Sequence, residues 1–214
     1  MIQPSDIDRL SQEILKLFPD IEPVQEYDWK SPALNILDCV LSLNRNYELV
    51  VKPRIIDFKN KHPDCYSIQD LLALIDKYKH DYVRFTTNEL NLNHADRGRI
   101  IDEVCQYLLI EISSYKDDDQ LANLKTWAIN ARPGDSYFIG IKGFGIAGFQ
   151  YLRMLFGAQA IKPDTHIIKF ISDTIGLTLN DNQALFVLDK AANKIGYPLR
   201  DLDFQIWKFQ SQKK

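Results

Sequence analysis

Two stretches of this chain have the residue types and spacing to do chemistry. They are the glycine-rich run 135–155, DSYFIGIKGFGIAGFQYLRML, and the acid Asp164 in IKPDTHIIKF, 19 positions after Gly145. Gly143 and Gly145 suit a tight reversal, because glycine adopts backbone angles closed to other residues. Bare glycines also let backbone N–H groups approach a ligand. A helix beginning near Ile146 would aim its positive end the same way, and Lys142 adds a charge beside the turn. Such a device grips phosphates and reads no base sequence. The bland alternative is an ordinary glycine turn between packed helices. A third reading takes Gly143, Gly145 and Gly148 as G-x-G-x-x-G, with YFIGI as the preceding strand and Asp164 as a ribose-binding acid, which would make a dinucleotide-binding enzyme. Against it, the segments before Asp135 and after Gly148 have helical rather than alternating strand-and-helix patterns.

Asp164 follows a proline and precedes Thr165 and His166. A carboxylate at the positive end of a helix favours its charged form, and such a group stabilises positive charge developing on a sugar and orients or deprotonates water. Thr165 and His166 are candidates to orient the acid or its water. Pro-Asp-Thr is equally the signature of a simple helix start, with Asp164 as the cap. The two roles are compatible.

The elements that must position these groups read as helices almost throughout, so the expected class is all-α. Residues 5–18 carry Ile7, Leu10, Ile14, Leu17 and Phe18 at helical spacing, with Ser5 as the expected cap. Ser31-Pro32 reads as a cap and first-turn proline for a buried central helix over ALNILDCVLSLN. Pro53 marks a start or kink within residues 47–61, and Ser67 with Asp70 caps SIQDLLALIDKY. Residues 91–95 read as a loop before a helix whose Ile100, Ile101, Val104, Leu108 and Ile112 form one stripe. Further helices are expected over 117–128, from about Asp164, from about Asp181 and in the tail. Two lobes are expected, residues 31–158 and residues 1–30 with 159–214. Trp127, Tyr137, Phe138 and Trp207 are candidates for a base pocket or for core.

The chain of 214 residues carries a net charge of −3, an unpromising total for a nucleic-acid binder. The distribution is more informative. Residues 131–214 hold eleven Lys and Arg against seven Asp and Glu, and Ser136 to Pro163 contains Lys142, Arg153 and Lys162 with no acid. Cys39, Cys65 and Cys105 are scattered and odd in number, and the four histidines show no ligand spacing, so thiols without a zinc site or cluster are expected. The polar, acidic N-terminus MIQPSDIDRL and the lack of a long apolar run give the expectation of no signal peptide, no membrane contact and a cytoplasmic location, at the nucleoid in a prokaryote.

The glycine run and the Asp164 segment together resemble the helix-hairpin-helix DNA glycosylase superfamily (HhH-GPD), to which endonuclease III, the adenine glycosylase MutY and the alkylbase glycosylases belong. That family's pattern is a Leu/Ile-Pro-Gly-hydrophobic-Gly hairpin, a spacer, then Val-Asp-Thr-His; IKGFG and PDTH stand in those places here. The resemblance is specific over about 35 residues and weaker over residues 31–177. It implies a base-excision-repair enzyme that hydrolyses the N-glycosidic bond of a damaged, modified or mismatched base in double-stranded DNA, with no protein partner. It makes Asp164 the catalytic residue and Lys142, Gly143, Phe144, Gly145 and Gly148 the hairpin that binds DNA. Hairpin carbonyls in the family can hold a monovalent cation, potassium or sodium; no other cofactor is implied. Ala147 stands where bifunctional members carry a Schiff-base lysine, so the resemblance implies hydrolysis without strand cleavage. Asn44 in SLNRN matches the loop that fills the gap left by a flipped base, and Leu92 in NLNH is a candidate wedge for the opposite strand. Lys142 replaces the usual proline and Pro163 the usual valine, and the four-cysteine cluster loop is missing. A DNA-binding module that keeps the fold without catalysis remains an alternative.

Overall fold

The computed structural model describes residues 2–21, 23, 24 and 29–213. Over these the protein is all-α: eleven α-helices, one π-helical turn (Tyr47–Val51), one 3-10 turn (Pro133–Tyr137) and no strand. None of these helices is long and apolar enough to cross a membrane. The chain divides into two compact units, Asp28–Gly157 and Met1–Tyr27 with Ala158–Lys214.

The first unit contains α2 (Pro32–Leu41), α3 (Lys52–Lys61), α4 (Ile68–Asp76), α5 (Tyr82–Leu90), α6 (Ala95–Glu111), α7 (Gln120–Asn130) and α8 (Ile146–Leu155). Helix α2 is its hub, packing against α3, α4, α6, α7 and α8. All ten of its residues are buried, as expected of a helix apolar on most sides. Ser31 starts it by accepting the Leu34 N–H at 3.3 Å, and Pro32 needs no donor there. Three polar side chains are nonetheless carried into this core. Asn35 donates to the Leu155 carbonyl at 3.2 Å, and the Cys39 thiol to the Gly148 carbonyl at 3.2 Å. Asp38 accepts from Trp29 Nε1 at 2.6 Å, Tyr47 Oη at 2.9 Å and Tyr151 Oη at 3.0 Å. Hydrogen bonds of this kind are what make a buried polar group tolerable. Helix α4 opens with the reciprocal Ser67–Asp70 cap, and the stripe Ile100, Ile101, Val104, Leu108, Ile112 of α6 is buried. Pro53 falls in the first turn of α3, after the π-helical turn, so it starts a helix rather than kinking one.

The second unit contains α1 (Pro4–Leu17), α9 (Thr165–Ile175), α10 (Asp181–Ile195) and α11 (Leu199–Ser211). Helix α9 packs against the other three. Phe18, Phe170 and Phe209 close the apolar centre, Phe209 edge-on to the other two and Phe18 tilted against Phe170, at centroid distances of 5.7 to 6.3 Å. Arg9 donates to the Ile175 carbonyl at 3.0 Å, satisfying the C-terminal end of α9. One cap differs from expectation. Helix α1 is capped at Gln3 rather than Ser5, because Pro4 occupies the first helical position and Asp6 accepts the Gln3 N–H at 2.8 Å.

Candidate nucleic-acid interface

The glycine-rich run forms a bend followed by a helix. Ile141 and Phe144, 8% and 3% exposed, pin its two sides to the core, and the Phe144 N–H closes a β-turn onto the Ile141 carbonyl at 3.1 Å. Lys142 and Gly143 form the exposed tip. Gly143 has φ +84°, the left-handed value that the third position of such a turn requires of glycine. Lys142 is the second residue of the turn, a position open to most residue types. Gly145 then caps α8, which has no side-chain acceptor over its first amides. Only the 3-10 turn Pro133–Tyr137 lies between α7 and the bend.

The three glycines differ in what makes them glycine. Gly143 needs its backbone angle. Gly148 needs its missing side chain, since a Cβ there would meet Phe144 Cε2 at 2.9 Å and Leu43 Cδ2 at 3.0 Å. Gly145 needs neither for the fold: its φ of −92° suits any residue, and a Cβ there would meet nothing within 4 Å. This also corrects two expectations. The Phe144 side chain is buried over Gly148, and Gly148 is itself enclosed, so both support the bend from within and neither offers a side chain or an open edge to a ligand.

The start of α6 ties three loops together. Arg99 Nη2 donates to the Lys142 carbonyl at 2.8 Å, and Gly143 lies against Ile100, so the hairpin rests on α6. Arg97 Nη2 donates to the Leu43 carbonyl, holding the turn after α2 in which Asn44 is exposed with a left-handed φ of 53°. Leu43 in turn packs beside Gly148 of the hairpin helix. The third loop, residues 91–94, runs directly into α6. Arg54 grips the Asn91 carbonyl through Nε at 3.2 Å and Nη2 at 3.1 Å, and the half-buried Leu92 donates its N–H to the Thr86 carbonyl at 3.0 Å. Lys142, Gly143, Gly145, Asn44 and Leu92 are thus brought onto one frame whose ties are arginines. Arg99 is further paired with Glu103 at 2.6 Å, which with burial opposing pushes its guanidinium pKa up. None of Arg54, Arg97 or Arg99 is marked by a sequence motif. The only trace is the basic spacing in DRGR, and α6 needs its structure before that spacing has a direction.

In the second unit, Asp164 is the N-cap of α9, with an extended backbone at φ −89° and ψ 179°. Its Oδ1 accepts the N–H groups of His166 at 2.9 Å and Ile167 at 3.1 Å. Its Oδ2 has no hydrogen-bond partner among the described residues, and the residue is half-exposed. Orientation of the acid therefore comes from two backbone amides; the side chains of Thr165 and His166, the expected supports, make no hydrogen bond to it. A second acid was not legible in the sequence. Asp203 on α11 is 3% exposed and accepts the Lys162 N–H at 2.8 Å, while the Lys162 carbonyl accepts the Asp164 N–H at 2.7 Å. Burial, reinforced by the neighbouring Asp164 charge, pushes the Asp203 carboxyl well above the usual range. Asp203 is a positioning residue for the turn that presents Asp164.

The aromatic candidates separate by burial. Trp127 is core at 2% exposure, Trp207 is half-buried and stacks on Phe204, and Tyr137 and Phe138 are exposed on the approach to the hairpin. Among the described residues no group of three or more His, Cys, Asp or Glu is placed to hold a metal ion. The strand that a dinucleotide fingerprint requires before its first glycine is absent: residues 138–145 form the bend, and the flanking elements are helical. Residues 7–211 match the family model described as Domain of unknown function (DUF8548). No curated protein and no solved structure gives a match.

Proposed function

The chain belongs to that family, and from its own residues we propose that it is a monofunctional DNA N-glycosylase of the helix-hairpin-helix type, acting on a damaged, modified or mismatched base in a duplex. The observation that carries the reading is Gly145. Neither backbone angle nor packing demands glycine at the mouth of α8, where Ser, Asp or Asn would cap the helix better. Close approach of a ligand to the uncapped first-turn amides does demand it, and a phosphodiester is the ligand that a helix N-terminus beside Lys142 and Arg99 suits. The α6-braced frame supplies Asn44 as the residue to fill the space left by an extruded base and Leu92 as the wedge. Arg99 occupies the Lys142 carbonyl, the Phe144 N–H the Ile141 carbonyl and the Phe149 N–H the Gly145 carbonyl, which leaves the Gly143 and Phe144 carbonyls for a potassium or sodium ion.

The chemistry asked of Asp164 is modest. An extruded nucleotide exposes its C1′–N bond. As that bond breaks, its electron pair leaves with the base and positive charge grows on the sugar, where a carboxylate stabilises it. Water then bonds to C1′, Asp164 Oδ2 accepts or orients its proton, and the departing base takes up a proton. The cap bonds at Oδ1 fix the carboxylate without consuming Oδ2. With Ala147 in the lysine position no imine forms, so the product is an abasic site and an intact strand.

The test is a panel of duplexes bearing alkylated, oxidised, deaminated and mismatched bases, scored for strand breaks with and without alkali. Alkali-dependent breaks on at least one duplex, abolished by Asp164→Asn with duplex affinity within a few-fold, are expected. A second reading, a DNA-binding module without catalysis, is favoured by the cap itself, since two amide bonds account for an Asp at 164 without chemistry. Duplex binding with no abasic product across the panel would select it. A nicotinamide or flavin copurifying with the protein would sink both.

A further inference from the structure

We propose that Arg97 and Arg45 form an anion subsite that takes a backbone phosphate of the nucleic acid, a second grip separate from the hairpin; the identity of the ligand rests on the DNA-binding reading above. Arg97 is 8% exposed, yet only one of its bonds is made, from Nη2 to the Leu43 carbonyl. Its Nε is buried with no acceptor, and it forms no ion pair among the described residues. A guanidinium taken out of water is costly unless a counter-ion and acceptors replace the lost hydration.

The same unit shows what a purely structural buried arginine looks like. Arg153, 7% exposed, donates from Nε to the Ala128 carbonyl at 3.0 Å and from Nη1 to Gln150 Oε1 at 2.6 Å. Arg97 lacks that completion, and its electrostatic neighbourhood makes the lack sharper. The like charge of Arg45 adds to burial in disfavouring the charged guanidinium. The nearby acid Asp96 offsets this in part, but it is largely exposed, forms no ion pair with Arg97 and lies 3.5 Å from Arg99. Arg45 is exposed, and its side chain has no hydrogen bond or ion pair among the described residues. Helix α6 adds a further attraction, since its cap His94 contributes no side-chain bond to the first-turn amides. An anion with several acceptor oxygens would supply the counter-charge that Arg97 lacks, bridge the two like charges and sit at a positive helix end.

The experiment follows the Arg97 Nε–H resonance in full-length protein while inorganic phosphate or a short duplex is added, alongside duplex affinity measured across a salt series. Both probes should move the resonance. Arg45→Ala, an exposed substitution that leaves the fold intact, should lower the slope of log affinity against log salt by about one. Gly145→Ala should weaken duplex binding while the Arg97 response to inorganic phosphate persists. Duplex binding with an unmoved Arg97 resonance and an unchanged slope in Arg45→Ala would overturn the subsite and leave the DNA reading standing. An Arg97 response to phosphate without any duplex binding would keep the subsite and overturn the DNA reading. No response to either probe overturns the subsite outright.

Discussion

Replacing Asp164 separates the two roles its geometry allows. The side chain accepts two first-turn amides of α9, at 2.9 and 3.1 Å, so Asp164→Ala removes a complete N-cap. Loss of the cap costs about 1 kcal/mol, and loss of a negative charge at the positive helix end about 0.5 kcal/mol more. For a chain of this length each kcal/mol corresponds to about 2–4 °C, so Tm should fall by about 3–6 °C. Asp164→Asn and Asp164→Ser retain an oxygen able to accept the same amides, and their Tm should lie within about 2 °C of the parent. None of the three retains an ionised carboxylate, so base release should fall by about a hundredfold or more in all of them. The assay pairs thermal denaturation with single-turnover release on whichever duplex the parent protein processes. Wild-type release by the Asn or Ser variant would refute the catalytic assignment. So would an activity loss confined to Ala and proportional to its unfolding.

Three further outcomes follow from the same geometry. Gly143→Ala forces a Cβ into φ +84° and to 3.3 Å from Ile100, so it should destabilise by about 1–2 kcal/mol in a urea titration; Gly145→Ala should leave stability within about 0.5 kcal/mol yet cut duplex affinity at least about tenfold, and equal effects of the two would remove the basis for the hairpin reading. Glu89 is pushed up by burial but held at about 2 overall by bonds from Lys61, Tyr78 and His62. A depressed carboxylate stabilises the fold above its unfolded value and loses that stabilisation as pH falls toward its folded value. Stability should therefore be lost between about pH 4.5 and about pH 2 in the parent, and this loss should be absent from Glu89→Gln, as read by acid denaturation at constant salt. Asp203 has the opposite sign: an acid raised in the fold costs stability as pH rises above its unfolded value. Asp203→Asn, which keeps an acceptor for the Lys162 N–H, should gain on the parent as pH rises above about 4 in paired denaturant titrations, and a constant difference would show that Asp203 does not titrate as described.

Much of this protein was legible in short windows. Ser31-Pro32, the Ser67–Asp70 pair and Asp164 all cap as read, because a cap joins residues two or three apart and carries its own geometry. The buried stripe of α6 follows from helical period alone, and the left-handed turn at Gly143 from the local need for a residue without a Cβ. Even locally one competitor won: Pro4, which has no N–H to give, moved the start of α1 ahead of Ser5. Tertiary structure decided the rest. Arg97 finds its carbonyl 54 residues away, Arg99 43 away, and Asp203 its amide 41 away. Phe144 and Gly148, which looked like ligand contacts, interlock with each other and with Leu43, leaving Gly145 as the glycine the fold itself does not require. Periodicity and capping encode relations within a helical turn. Which charge is buried, which donor is left unmatched and which loops share a frame depend on what packing brings from distant parts of the chain.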